Sequence, residues 1–329
     1  MLPRKTSKLS QAHLLQVIKT VARKLLQGTF TLLFVSLISF AMLSAVGGDA
    51  LTALSDNPQV STETVERLRT VYGLDRPVSE RYFTWLSAAV RGDLGESFTY
   101  RTPVRDLVLS RLSKTLLIAL PALILALGFA LFGAYLLERT RSGILDRVAD
   151  LWIALSSSTP RIVAALVALL VIVASANATT RREPGSYLVV VACLIVLALP
   201  LQALFLAQAR NELGRASGAE FVKFARAKGL SERIVILKHA SREALNPLIT
   251  LSGLSLGSVV SGSIIVETVL GWPGIGALMV TAVRGRDVSL VMGIVIITSL
   301  LIWVANSTAE LLQMVNDPRL IETEAASNR

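Results

Sequence analysis

The amino-acid sequence predicts an all-α integral membrane protein with six transmembrane helices. Two observations carry that reading: an apolar excess too large for a domain facing only water, and six separate apolar runs of spanning length. Hydrophobic residues make up 53% of the 329 and charged residues only 17%, with a mean hydropathy of +0.60. A soluble domain carries about 25% charge. Crossing a hydrocarbon core of about 30 Å takes roughly 20 residues at about 1.5 Å each. The runs 25–46, 115–137, 151–174, 187–207, 248–270 and 289–314 meet that length. No barrel-type alternation recurs, so helices are the spanning element.

The first run follows a long basic segment without a small-residue cleavage site, and it is read as a retained span. Orientation follows from basic residues in the short flanking segments. Arg4, Lys5, Lys8, Lys19, Arg23 and Lys24 precede the first run, and Arg139, Arg141 and Arg147 stand between the second and third. Arg210, Arg215, Lys223, Arg226, Lys228, Arg233, Lys238 and Arg242 stand between the fourth and fifth. The opposite side has only Arg181, Arg182, Arg284 and Arg286 in its short loops. Both termini and the 208–247 loop are therefore expected on the cytoplasmic side. The plan is a cytoplasmic segment 1–24, a first helix 25–46, an outer element 47–114, a five-helix core 115–314 and a cytoplasmic tail 315–329. In the outer element Val65, Leu68, Val71 and Tyr72 recur at helical spacing, and Gly73, Pro77, Gly92 and Gly95 punctuate the rest.

The net charge of +10 sits in segments between apolar runs. That points to an anionic membrane surface and away from nucleic acid. Cys193, the one cysteine, excludes an internal disulfide or a thiolate metal cluster. His13 and His239 have no metal-ligand spacing, so no metal site is expected. No G-x-x-x-x-G-K-[ST] loop occurs. No catalytic residue is nominated, and the chain is not expected to be an enzyme.

The segment 220–229 carries the sharpest pattern. Phe221, Phe224 and Ala225 share one helical face, Lys223, Arg226, Ala227 and Lys228 fall elsewhere, and Gly229 is a stop. Such a helix either inserts an apolar face into a groove on a soluble partner or lies on anionic lipid.

Around it, Ala225-Arg226-Ala227-Lys228-Gly229-Leu230, Leu237-Lys238-His239-Ala240 and Asn246-Pro247 resemble the EAA-type loop of ABC importer permeases, most closely the dipeptide/oligopeptide (nickel) group. The likeness continues through Val266-Glu267-Thr268-Val269, Gly271-Trp272-Pro273-Gly274-Ile275-Gly276, Arg286-Asp287 and Asp317-Pro318-Arg319. Tyr72-Gly73-Leu74-Asp75-Arg76-Pro77 and Arg91-Gly92-Asp93-Leu94-Gly95 look like the outer loop of the group's B-type subunit. The chain departs from the family pattern at Lys223 and Phe224, where Glu is usual, at Glu243, and at Arg161 after Ser158-Thr159-Pro160.

The resemblance implies a type I importer bundle in the inner membrane. In it, 220–229 is the coupling helix, and a re-entrant outer loop carries Glu267, Gly271, Trp272, Pro273, Gly274 and Gly276. It also implies the partners: a second homologous permease, two cytoplasmic ATPase subunits holding ATP-Mg, and an outer solute-binding protein. This chain itself would bind no cofactor. The cargo implied is a di- or oligopeptide, with glutathione or a nickel chelate as alternatives.

Other polar positions stay open between two readings each. Arg161 either faces a watery path, as intramembrane charge usually does, or pairs structurally with Glu310 or snorkels to the interface. Asn306 and Glu310, four apart, either line that path or clamp helices together. Gly253, Gly257 and Ser261 either pack helices closely or form a moving seam. Trp272 is either part of the re-entrant loop or an interfacial anchor. An ion-driven secondary transporter would show inverted repeats with midplane acids, and a membrane enzyme would show clustered acids and histidines. The sequence displays neither.

Overall fold

A computed structural model describes residues 5–45, 51, 61–71, 73–178 and 187–316. Arg4, Tyr72, Arg181, Arg182 and the 317–329 tail with Asp317, Pro318 and Arg319 lie outside them. Among the described residues the elements are helices, joined by turns and one isolated bridge between Glu96 and Pro103. They are α1 (Lys5–Ala45), α2 (Thr62–Val71), α3 (Val78–Val90), α4 (Val104–Thr140), α5 (Gly143–Ser158) and α6 (Arg161–Ala178). Then come α7 (Tyr187–Ser217) and α8 (Glu220–Ala227). A short turn, Glu232–Ile234, passes through a π-helical stretch, Val235–Ala240, into α9 (Ser241–Leu270). α10 (Ile275–Arg284) and α11 (Val288–Asn316) complete the chain.

Segments of α1, α4, α7, α11 and the helix ending in α9 are each long and apolar enough to cross a membrane. With α5 and α6 counted as one broken span, the total is the six expected. The third span is not straight, however. The run expected over 151–174 is split at Thr159–Pro160, and its halves meet at 93°. Pro160 has no N–H and disfavours helical backbone at the residue before it. Thr159 accordingly sits at φ −82°, ψ 113°. Leu155 O, left without its helical donor at the break, accepts from Thr159 Oγ1 at 2.7 Å. The 208–247 loop is also corrected. α7 stays helical to Ser217 and the next long helix begins at Glu232, which leaves α8 and two turns between them. At its polar end, α7 is tied to α5 by Arg210, which pairs with Asp146 at 3.3 Å and with Asp150.

The described residues fall into two compact units. One lies within Met1–Asp106 and Ala282–Trp303. In it, Tyr82 of α3 is buried against Phe40 of α1, ring centroids 5.4 Å apart, and its hydroxyl lies 2.9 Å from Ser36 Oγ. Gly28 of α1 lies flush on the Trp303 indole, where an added Cβ would come within 2.4 Å. After α3 the chain turns at Gly92 (φ +86°) and Gly95 (φ +82°), a conformation glycine adopts without penalty. Asp287, buried, accepts from Ser97 Oγ at 2.7 Å and Thr99 N at 2.9 Å, and caps α11 through Leu290 N at 3.1 Å. Of the amphipathic stretch expected before Gly73, Val65 is buried and Val71 exposed, and the side chains of Leu68 and Tyr72 lie outside the described residues.

The other unit lies within Leu107–Thr281 and Val304–Arg329. Its core is built on α7, where Leu197, Leu201 and Phe205 are fully enclosed, and on Leu248, Val259 and Val266 of α9. Ala119, Ala122, Ala126, Ala130 and Ala134 of α4 recur at three- and four-residue steps, and all are buried. Small residues at that spacing bring helix backbones close in a lipid solvent that supplies no hydrophobic drive between helices. Outward residues such as Ile124, Phe132 and Leu170 are large and apolar, as a bilayer requires.

Candidate functional site

Helix α8 has two apolar faces. Val222 and Ala225 are buried in the core cluster with Val235, Ile236 and Ala240. Phe221 and Phe224, three apart on the adjoining face, are 45% and 63% exposed. The expected grouping of Ala225 with the phenylalanines is therefore wrong. Ala225 anchors the helix to its own chain, and the outward face is Phe221 and Phe224 with Lys228, whose ammonium sits 4.8 Å from the Phe224 ring centroid. Lys223 and Ala227 are exposed too. Arg226 turns inward and braces the segment, donating to Glu232 Oε1 at 2.8 Å and to Ser217 O at 3.0 Å. The helix ends in a paired C-cap: Gly229 N donates to Arg226 O at 2.9 Å and Leu230 N to Ala225 O at 3.4 Å. Gly229 holds φ +80° with open space around it.

The turn after α9 is organised around a buried carboxyl group. Glu267 has no exposure. Its Oε1 accepts from Thr115 Oγ1 at 2.6 Å, and its Oε2 from Gly276 N at 2.7 Å and Ala277 N at 3.1 Å. The carboxyl thus caps the first turn of α10, whose N–H groups have no partner within the helix. Gly271 closes α9 at φ +71°. Trp272 is buried with its Nε1 donating to Lys114 O at 3.0 Å, so it is not a surface anchor. Arg111 holds Pro273 O at 3.2 Å. A Cβ on Gly274 would lie 2.3 Å from Glu267 Oε1, and one on Gly276 2.5 Å from Ile264 Cα. Both glycines are there because the turn presses on α9.

Arg161 and Asn306 bear on different stretches of α9, near Ser258 and near Gly253. Arg161, first residue of α6, donates to Ser258 O at 3.2 Å and Ser258 Oγ at 3.0 Å, its guanidinium lying across Gly262. Asn306 stands on the α9–α11 seam, its Oδ1 buried without a hydrogen bond. It is beside Gly253, where a Cβ would meet Ala309 Cβ at 2.6 Å. Glu310, one turn on, is half-buried. Of the small-residue stripe, Gly253 is buried in this seam, Gly257 is half-buried and Ser261 is exposed. Gly262, outside the stripe, makes the other close approach.

Several residues escaped the sequence reading. Thr115 lies 152 positions from Glu267, and no local pattern links them. Gln313 donates to Asn246 O at 2.8 Å, and Asn316 to Arg242 O at 3.2 Å. These bonds reach from α11 to the first turns of α9 around Pro247, which runs inside the helix without donating its own helical hydrogen bond. No local pattern in the sequence names these partners.

Comparison with known proteins agrees with this architecture. Residues 126–322 match the model of the binding-protein-dependent transport system inner membrane component, and residues 17–119 match that of its N-terminal region. An oligopeptide transport system permease protein of Bacillus subtilis is 32% identical, over 91% of this chain and 98% of the relative. A putative peptide permease protein of Brucella suis is 30% identical, over 90% and 97% respectively. A glutathione transport system permease protein of Escherichia coli K12 is 28% identical, over 91% and 98%. With a family match over more than half its length and relatives aligned almost end to end, this chain belongs to the inner membrane components of binding-protein-dependent transport systems.

Proposed function

We propose that this chain is one permease subunit of an ATP-driven peptide importer, and that α8 is the lever through which a separate ATPase subunit moves it. The observation that carries the reading is the division of α8: Val222 and Ala225 lock it to its own bundle, while Phe221 and Phe224 stand exposed on the adjoining face. A helix that only lay on lipid would not need the brace of Arg226 to Ser217 O and Glu232 or the capped end at Gly229. A rigid transmitter does. Two such ATPases would hold ATP-Mg, a second homologous permease would close the path, and an outer solute-binding protein would deliver the cargo. Both termini and α8 would face the cytoplasm, in keeping with the basic residues of the 208–247 segment.

Nucleotide-driven approach of the ATPases would shift the bundle between inward- and outward-open states, a population change driven by differential binding. Peptide as cargo is supported by the peptide permeases among the relatives aligned over nine-tenths of the chain. Glutathione, itself a tripeptide, is the second reading, supported by the relatives that carry its name. Arg161 would meet the cargo with the guanidinium N–H groups that Ser258 does not take.

The test is uptake of labelled di- and tripeptides by proteoliposomes of the whole complex. ATP-dependent uptake is expected. Absence of uptake with every peptide tried, in a complex that still hydrolyses ATP, would reject the cargo. Arg161→Ala is expected to lower uptake while the complex still assembles, and failure to assemble would give Arg161 a structural role instead.

A further inference from the structure

The break in the third span leaves a cation deep among apolar helices. Arg161 opens α6 directly after Thr159–Pro160, and its guanidinium bonds to Ser258 of α9. Ser258 stands twelve residues from one end of α9 and seventeen from the other, about 18 Å and about 25 Å along the axis. The same level is reached on α7: Thr159 and Val163 line one groove with Ile195 and Leu199, eight and twelve residues in from Tyr187. In a hydrocarbon core of about 30 Å this is near the middle. A lipid headgroup is further away than an arginine side chain extends.

The charge has no counter-charge among the described residues. α6 packs on α7 and α9, and the carboxylates of those helices are engaged or distant. Glu212 pairs with Arg215, Glu267 is enclosed by Thr115 and α10, and Glu243 lies fifteen residues from Ser258. Asp146 and Asp150 of α5 are held by Arg210. Arg161 bonds to Ser258 alone, and Glu310 of α11 is not among its partners. Ser258 takes one N–H from each Nη, so three of the five guanidinium N–H groups remain. The surface around them is polar and open: Ser258 and Ser261 are exposed and Arg161 is half-buried. Gly262 lets the guanidinium lie there, since an added Cβ would run into it. Serines and an arginine exposed at that depth face a watery path or a partner, not acyl chains.

We infer that this strip lines the path and that Arg161 takes the C-terminal carboxylate of the passing peptide. The inference rests on the peptide-import reading and adds which group of the cargo the permease itself reads. A guanidinium presents its N–H groups as a fork that matches the two oxygens of a carboxylate. Away from bulk water that contact is stronger than at a surface. The terminal carboxylate is also the one negative charge that every linear peptide carries, whatever its side chains. Ser258 orients the guanidinium through neutral oxygens, so the charge stays available to the cargo.

The experiment is uptake of labelled Ala-Phe and of its C-terminal amide by proteoliposomes of the whole complex. The outer binding protein is the same in every arm, so a change in the acid-to-amide ratio between variants belongs to the permease. Arg161→Gln can still donate to Ser258 but carries no charge. It should lower that ratio about tenfold or more, the loss of one charge-assisted contact. Arg161→Lys keeps the charge without the fork and should fall between the two. A ratio that survives Arg161→Gln overturns the inference, while import itself stands. Loss of assembly in both variants also overturns it, and gives the guanidinium to an acid of the second permease. Uptake of neither peptide by the parent complex rejects the import reading, and the carboxylate contact falls with it.

Discussion

Helix α8 leaves two phenylalanines in the open, whereas the turn after α9 encloses a carboxyl group completely. Each violates the ordinary placement of its residue type, and the surroundings show why each is tolerated. Glu267 is satisfied within the chain, with donors from Thr115, Gly276 and Ala277. Phe221 and Phe224 stay 45% and 63% exposed, and the Lys228 ammonium over the Phe224 ring covers only part of that surface. An internal account that closes points to a structural role. One that stays open points outward, to something the chain must meet. The two regions should therefore fail differently when changed, one by loss of the fold and the other by loss of a contact.

The largest effect is expected at Glu267. Glu267→Ala strands three donors in a closed space, and a buried donor left unpaired costs about 1–3 kcal/mol. The variant should fail to accumulate, or lose its thermal transition in detergent gel filtration. Glu267→Gln keeps an acceptor for the two α10 N–H groups, and the Thr115 hydroxyl can rotate to accept from the new amide. It should stay close to the parent. If Ala is tolerated as well as Gln, Glu267 does not hold the turn.

Gly276→Ala follows closely. Its added carbon would sit 2.5 Å from Ile264 Cα, and backbone cannot swing aside as a flexible side chain does. Overpacking of this kind typically costs about 1–3 kcal/mol, read as a lowered thermal midpoint with α8 and its partner contact unaffected.

At α8 the two faces separate the outcomes. Phe221→Ala with Phe224→Ala should leave the thermal midpoint unchanged and cut co-purification of the ATPase subunit at least tenfold, since enclosing one Phe is worth roughly 1.5–3 kcal/mol. Ala225→Asp should instead destabilise the chain itself, because it places a charge in the core beside Val235 and Ile236. Equal thermal loss in both variants would erase the distinction between the faces.

Much of this was legible in the sequence, for definite reasons. Spanning helices announce themselves by length and hydropathy, and a C-terminal stop by glycine. The 220–229 segment could be recognised as a helix with a docking face, but not which apolar residues face outward. Val222 and Ala225 carry the same three-residue step as Phe221 and Phe224, and only the packing of α8 on the π-helical stretch chooses between the pairs. Pro160 stood inside the apolar run counted as one span over 151–174, and the bend at Thr159–Pro160 was not read from it. Nor was its 93° angle legible, because proline sets where a helix breaks and neighbouring helices set how far. Long-range partners such as Thr115 for Glu267, Ser258 for Arg161 and Gln313 for the Pro247 stretch leave no periodic trace at all.

The smallest effect separates two kinds of glycine. Gly276 has no room for a side chain, whereas Gly229 has ample room but a backbone at φ +80°. For Gly229→Ala there is no clash to relieve, so its cost is conformational: about 1–2 kcal/mol for an L-residue in the left-handed region. The paired cap from Gly229 N and Leu230 N resists any change of that angle, because unwinding it would free the Arg226 and Ala225 carbonyls. Asparagine tolerates the left-handed region better than alanine, through its short polar side chain. The order expected is therefore Gly229 at full ATPase co-purification, Gly229→Asn close behind, and Gly229→Ala reduced but clearly above the double phenylalanine variant. All three should melt together, since α8 remains anchored by Val222 and Ala225. If Gly229→Ala instead melts as early as Gly276→Ala, the C-cap is part of the folded core, and the picture of α8 as an anchored helix with a separable end is wrong.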